Sequence, residues 1–299
     1  MSLQEVKQKA GWEITAFNLP DNWNITAGEG VKVAILDSGC NLAHPDLVDN
    51  LLPGMNFLQP NSPPEDDNGH GTHCAGILAA SNNEIGVVGV APKTKIIPVK
   101  VLDRHGSGQL DIVARAIYWA TDNGADLISM SLGSPTALPI VQKAIQYAAS
   151  KGVVTFCAAG NAGKTAEVFY PAAYAETIAI GSIDETMNRS SFSNTGHNLD
   201  FLAPGGKILS TYPPMWYSVL SGTSMACPFA TGVASMFLSF SRKTQIKEYV
   251  FRTAEAYRNA FKENATSLTD PEYADKKFFQ GFGIIDPRKF KEWCEAHKI

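Results

Sequence analysis

Apolar residues along this 299-residue chain fall into two alternating patterns. Short, nearly continuous apolar runs at Val31 to Leu36, Ile96 to Val101, Leu127 to Met130, Val153 to Cys157 and Thr177 to Ile180 read as strands buried on both faces. Between them, Ile112, Val113, Ala116, Ile117 and Ala120 recur at helical spacing and stop at Asn123-Gly124. Ile140, Val141, Ala144, Ile145 and Ala148 repeat that pattern up to Gly152. Strand alternating with helix predicts an α/β fold, a single domain with a parallel central sheet and helices on both faces. No Pro/Gly/Ser linker, internal repeat or low-complexity tract divides the chain. The stretch from Gln245 to Lys277 is more charged and aromatic, and reads as a surface helix followed by a loop.

Composition narrows the class. With 44% hydrophobic and 18% charged residues the chain is an ordinary soluble globular sequence, which excludes disordered and collagen-like proteins. Twenty-five Lys and Arg stand against 29 Asp and Glu, a net charge of -4, and no basic run appears, so no nucleic-acid partner is expected. The start, MSLQEVKQKAGWEI, offers neither a signal peptide nor a membrane span, and no membrane partner is expected. Five cysteines, an odd number without a CxxC pair, fit a reducing compartment. The expected address is cytoplasmic, with a secreted, trimmed form as the alternative.

In a parallel sheet the chemistry gathers beyond the carboxyl ends of the strands, and several unusual segments stand there. Asp37 follows the first apolar strand directly, and Asn161 stands in Ala158 to Gly163, AAGNAG, after the fourth. His70 lies in NGHGTHCAG, Asn68 to Gly76, where glycines allow close backbone approach at the start of a small-residue helix. Ser224 lies in SGTSMACP, Ser221 to Pro228, in the first turn of a second helix, with Pro228 expected where first-turn donors are unpaired. Taken singly, each has an ordinary reading: a turn aspartate, a core histidine, an N-cap serine, a turn asparagine. His70 and Cys74 at i, i+4 could also present a metal site, although no further ligand is near in sequence. Ala158 to Thr165, AAGNAGKT, meets a relaxed phosphate-loop pattern with alanine for the first glycine. Pro171 then arrives too soon for a long phosphate-cradling helix, and that reading leaves His70 and Ser224 unexplained.

Together, ILDSG, GHGTHCAG, AAGNAG and SGTSMACP, in that order, resemble the subtilisin-like serine proteases. GVVGVAP, KVL, GSGQ, ISMSLG, FSNTG and LAPGGKILST extend the resemblance from about Trp12 to GFGIIDP near the end. Residues 1–11 are then an N-terminal extension or a cloning remnant, and residues 12–299 the peptidase domain. The resemblance implies a serine endopeptidase in which His70 takes the proton of Ser224, Asp37 orients His70, and Asn161 donates to the oxyanion. It also implies an extended peptide bound between Gly106-Ser107-Gly108 and Ser131-Leu132-Gly133, with Ala158, Gly160 and Phe169 around the primary specificity pocket. Family members commonly have glycine where Phe169 stands, so a preference for small residues before the scissile bond is expected. Structural Ca²⁺ is implied at Asp46, Ser81, Asn83, Ile85 and Val87; the family's N-terminal glutamine ligand has no aligned counterpart, Gln8 being close. The implied partners are peptide or protein substrates, and the implied state is a monomer or homodimer. A catalytically silent, peptide-binding homologue is the alternative. Cys40, Cys74, Cys157 and Cys227 each adjoin one of the four segments, as space-filling residues or, at Cys74, as a point of sensitivity to thiol reagents.

Overall fold

A computed structural model describes residues 7–246, 250–268 and 275–297. Two short helices, α1 (Trp12–Ala16) and α2 (Leu19–Trp23), lead into strand β1 (Lys32–Asp37). In chain order there follow β2 (Met55–Asn56), α3 (His70–Ala79), β3 (Lys95–Lys100), α4 (Leu110–Asp122), β4 (Leu127–Met130), α5 (Pro139–Ser150), β5 (Val154–Ala158) and β6 (Thr177–Ile183). β7 (Phe201–Pro204) comes next, and then β8 (Ile208–Tyr212) and β9 (Trp216–Leu220) form a separate antiparallel hairpin. The long helix α6 (Thr223–Thr244) follows, with α7 (Ala254–Asn264), β10 (Ala265–Thr266), α8 (Lys276–Gln280), β11 (Ile284–Ile285) and α9 (Phe290–Ala296) closing the chain.

The main sheet runs β2-β3-β1-β4-β5-β6-β7-β11-β10, parallel throughout except for the β11–β10 pair at one edge. Strand order turns back at β1, which has β3 on one side and β4 on the other, so the crevice beyond its carboxyl end is where a ligand fits. Pro98 in β3 has no N–H to give, and the neighbouring edge asks for none: β2 pairs only with Val99 and Lys100. Helices α4 and α5 pack together over one face, and α3 and α6 over the other. Continuous apolar strands are what a sheet covered on both faces requires, and β5 and β6 are buried at every position. α6 is the one helix among the described residues long and apolar enough to cross a membrane, yet nearly all of it is buried inside the fold.

The five apolar runs appear as β1, β3, β4, β5 and β6, with ends shifted by up to three residues. The segment read as a surface helix differs. α7 buries Tyr257, Ala260 and Phe261, and the Phe261 ring packs against Phe156, Phe201 and Phe237, so one face of this charged helix completes the core. Residues 247–249 and 269–274 of that segment lie outside the described residues.

Candidate active site

β1 delivers Asp37 to the crevice as its last residue, fully buried. The Ser38 N–H donates to Asp37 Oδ1 at 2.7 Å, and the two carboxylate oxygens lie 2.8 and 3.0 Å from His70 Nδ1. That contact makes Nδ1–H the donor and leaves Nε2 as the ring's acceptor. His70 opens α3, and a side chain on the next residue is impossible: a Cβ on Gly71 would stand 2.1 Å from the Gly39 carbonyl oxygen. The glycines of the motif thus let the helix press against the loop that follows Asp37. Burial alone would lower the His70 pKa, but the adjacent Asp37 carboxylate outweighs it and holds the imidazole well above its usual value. Cys74 lies beneath, 4.0 Å from Nδ1, and burial pushes its thiol pKa up.

Ser224 is the second residue of α6, where N–H groups have no intrahelical partner. Pro228 is the sixth residue of that helix, beyond the first-turn donors where it was expected. Without an N–H it cannot bond the carbonyl four residues back, which belongs to Ser224. Two neighbours make up the loss: the Ser131 hydroxyl donates to Ser224 O at 2.8 Å and the Cys74 thiol at 3.4 Å. The backbone of Ser224 is thereby tied to the end of β4 and to the histidine's helix. Its hydroxyl donates to Ser131 O at 3.3 Å, and among the described residues no hydrogen bond joins it to His70. Hydrogen bonds between a nucleophile and its base commonly tighten only with substrate bound.

Asn161 follows β5, and its side-chain oxygen accepts from both the N–H and the hydroxyl of Thr223, at 2.8 and 2.9 Å. The Thr223 N–H fixes which end of the amide is oxygen, and Asn161 lines a recess that it shares with Ser224. This recess of about 350 Å³ is lined by Ser131 to Gly133, Ala158, Gly160, Asn161, Phe169 and Ser224. Phe169 lies between its walls: a Cβ on Gly160 would meet the ring at 2.9 Å, and one on Gly133 would stand 3.4 Å from the Phe169 Cβ. A second groove of about 410 Å³ runs from His70 between Gly106 and Gly108 on one side and Ser131 to Gly133 on the other. Ser107 stands outside its lining, and its backbone closes a turn with Asp103. The Ser131 edge is anchored where Ser134 and Tyr170 exchange backbone hydrogen bonds, both 2.8 Å.

The remaining sequence readings also find places. In AAGNAGKT the N–H groups of Gly160, Ala162 and Gly163 are taken by Thr223, Asn194 and Phe192, and no helix follows, so a phosphate finds no cradle. All five cysteines are buried free thiols. His73 packs with its Nε2 3.0 Å from Ser218 O, and burial lowers its pKa to about 4.

Residues 81–87 form a loop beside Asp46: the Ser81 N–H donates to Asp46 O at 2.7 Å, and the Ile85 N–H donates to Asn83 Oδ1 at 3.2 Å. Asp46 is fully buried, accepts from Val87 N–H at 2.9 Å and Asn83 Nδ2 at 3.2 Å, and no lysine or arginine pairs with it among the described residues. Burial raises its pKa. Gln8 joins them, its amide 3.0 Å from Ser81 O and 3.2 Å from Val87 O. It gets there because residues 7–9 pair with residues 84–87, Gln8 N–H to Glu84 O and Lys9 N–H to Gly86 O. With the Gln8 and Asn83 amides turned to present oxygen in place of the –NH₂ groups that now bond Ser81 O, Val87 O and Asp46, these two amides, the Asp46 carboxylate and the Ser81 and Val87 carbonyls are a hard-oxygen set that fits Ca²⁺. Gln8 is the residue that alignment by spacing did not place, since only the pairing of the N-terminal segment brings it to the loop.

An α/β sheet with a carboxylate–imidazole pair at its switch point, a serine at a helix N-terminus and an adjoining extended groove defines a serine-hydrolase architecture. Residues 28–283 match the model of the subtilase family, and the chain belongs to that family. It is 47% identical to thermitase of Thermoactinomyces vulgaris, over 79% of this chain and 85% of the relative. It is 45% identical to an intracellular serine protease of Paenibacillus polymyxa, over 73% of this chain and 69% of that protein. With the major intracellular serine protease of Bacillus subtilis (strain 168) it shares 41% identity, over 77% of this chain and 76% of the relative. The protein is a hydrolase, a subtilisin-type serine endopeptidase acting on peptide or protein substrates.

Proposed function

We propose that this endopeptidase cleaves peptide bonds through Ser224, His70 and Asp37, with Asn161 as oxyanion donor. The observation that carries the reading is the paired contact of the Asp37 carboxylate with His70 Nδ1 at 2.8 and 3.0 Å, which leaves Nε2 to act as base. Ser224 Oγ attacks the scissile carbonyl as His70 takes its proton; the protonated His70 then gives that proton to the leaving amine, and an acyl-enzyme remains. Water, activated by the same imidazole, releases the acid. The negative charge on the tetrahedral oxygen is met by the Asn161 amide and the Ser224 N–H, and a side-chain donor of this kind is worth about 10²–10³ in turnover. Labelling by a fluorophosphonate probe tests the nucleophile: modification of Ser224 is expected, and an unmodified Ser224 in active protein overturns the assignment.

We further propose that peptide binds as an extended strand between Gly106–Gly108 and Ser131–Gly133, and that Phe169 restricts the residue before the scissile bond to small side chains. The ring's place between Gly133 and Gly160 supports this. In a peptide-library digest, cleavage after Ala and Gly is expected to exceed cleavage after Phe or Leu by about tenfold or more, and Phe169→Gly to reverse the order. Rapid wild-type cleavage after Phe removes Phe169 from specificity.

Gln8, Asp46, Ser81, Asn83, Ile85 and Val87 would hold Ca²⁺, which when bound supplies the positive charge that the buried Asp46 lacks. Chelation is then expected to lower the melting temperature by about 4–5 °C, from a binding term of about 3 kcal/mol at saturating ion. Unchanged melting after chelation counts against the site. The likeness to intracellular serine proteases supports a cytoplasmic address.

A further inference from the structure

Asp66 is a buried carboxylate, 6% exposed, that the proposed chemistry does not use. It accepts five hydrogen bonds. Oδ1 takes the Ser38 hydroxyl at 2.9 Å and the N–H groups of Asn68 and Gly69 at 3.0 and 2.8 Å. Oδ2 takes the Thr72 N–H at 2.9 Å and the Thr72 hydroxyl at 2.5 Å. Four of these donors belong to the turn into α3 and its first turn, and the fifth belongs to the residue after Asp37. The Ser38 hydroxyl in turn accepts from Gly71 N–H at 2.9 Å, and the Thr72 hydroxyl accepts from Asn41 N–H at 2.9 Å.

These bonds add to one isolated backbone bridge, in which the Cys40 N–H donates to Pro64 O at 2.9 Å and the Asp66 N–H to Cys40 O at 3.2 Å. Residues 37–41 leave β1, residues 68–72 enter α3, and a continuous polar chain runs from Asp37 Oδ1 through Ser38 to Asp66 and into the helix that begins with His70. Lys100 pins the same loop from the other side, donating to Ser38 O at 2.6 Å and to Asp67.

We propose that Asp66 is a positioning residue for catalysis: its carboxylate clamps the Asp37 loop to the start of α3 and so sets the distance between Asp37 and His70. It touches no substrate and acts only through that pair, so the proposal rests on the triad reading above. A buried carboxylate suits the task because it can accept from five donors at once and complements the partial positive charge of a helix N-terminus. An amide has one oxygen, and would turn its –NH₂ toward donors on one side, which forces the junction to spread. Displacement of about 1 Å at a reacting pair costs on the order of 10²-fold in rate. The titratable and charged groups around the junction are Asp37, His70, Cys40, Cys74, Glu65, Asp67 and Lys100.

The test compares Asp66→Asn and Ser38→Ala with wild type and Ser224→Ala, using the full chain and one chromogenic peptide. Ser38→Ala removes the one direct side-chain bond between Asp66 and the Asp37 loop, and with it the acceptor of the Gly71 N–H, while the four bonds from the Asp66 carboxylate to residues 68–72 and the Asp66 N–H bond to Cys40 O stay in place, so it serves if Asp66→Asn fails to fold. Expected for folded Asp66→Asn is a fall in kcat of about 10- to 100-fold with KM nearly unchanged, and a pH midpoint of kcat/KM moved down toward the value of free imidazole. Ser38→Ala is expected to show the same direction with a smaller effect, and the double variant less than the product of the two. Wild-type kcat and pH midpoint in Ser38→Ala, beside an inactive Ser224→Ala, overturn the clamp alone. Full activity of Ser224→Ala overturns the triad reading and the clamp together.

Discussion

Ser224→Ala is expected to lower kcat by about 10⁶-fold, the scale known for loss of a triad serine in subtilisin, while the protein folds and melts close to wild type. The fold tolerates the change because Ser224 is held through its backbone. Its carbonyl keeps the Ser131 and Cys74 bonds, its N–H keeps its place at the head of α6, and only a 3.3 Å hydroxyl contact is lost. The chemistry does not tolerate it, since alanine has no hydroxyl to attack the scissile carbonyl. Residual turnover of about 10³–10⁴ over the uncatalysed reaction is expected from Asn161 and from binding alone. Single-turnover kinetics on a peptide ester should lose the acyl-enzyme burst. A persistent burst would show that another group is the nucleophile.

Asp37→Asn is expected to cost about 10⁴-fold in kcat and to move the pH profile. An asparagine can present its –NH₂ to Nδ1, which favours the tautomer with the proton on Nε2 and removes the base. The sign of the pH effect follows from charge. His70 must be neutral to accept the serine proton, and the Asp37 carboxylate holds its pKa well above the ordinary 6.5. In wild type kcat/KM therefore climbs with rising pH through a midpoint above 6.5. Without the carboxylate, burial is the main remaining influence and lowers the pKa, so the residual activity should reach its plateau at lower pH. An unmoved midpoint in Asp37→Asn would mean that the profile reports some group other than His70.

Much of the site was legible because its parts sit where local pattern is strongest. Asp37 and Asn161 follow apolar strands, His70 and Ser224 open helices, and each lies among small residues whose spacing is unusual. The strands were legible for a related reason: burial on both faces leaves continuous apolar runs. Elements with one wet face were harder to read. The β8–β9 hairpin mixes buried and exposed positions without a long run, and α7 hides a buried aromatic face under a charged composition.

Sequence by itself determined the alternation of five central strands with helices, the place of Asp37 and Asn161 at strand ends and of His70 and Ser224 at helix starts, and the glycines of those segments. Tertiary structure alone decided the relations between distant segments. Pro228 breaks a helical bond, but only the fold shows Ser131 and Cys74 repairing it. Gln8 reaches the Asp46 loop only because residues 7–9 pair with residues 84–87. Asp66 is one acidic residue among 29 Asp and Glu in the sequence, and its five bonds exist only once β1 and α3 are packed together. The division has a physical cause: strand and helix patterns come from interactions within a few residues, whereas hydrogen bonds across the chain depend on packing that brings separated backbones within 3 Å.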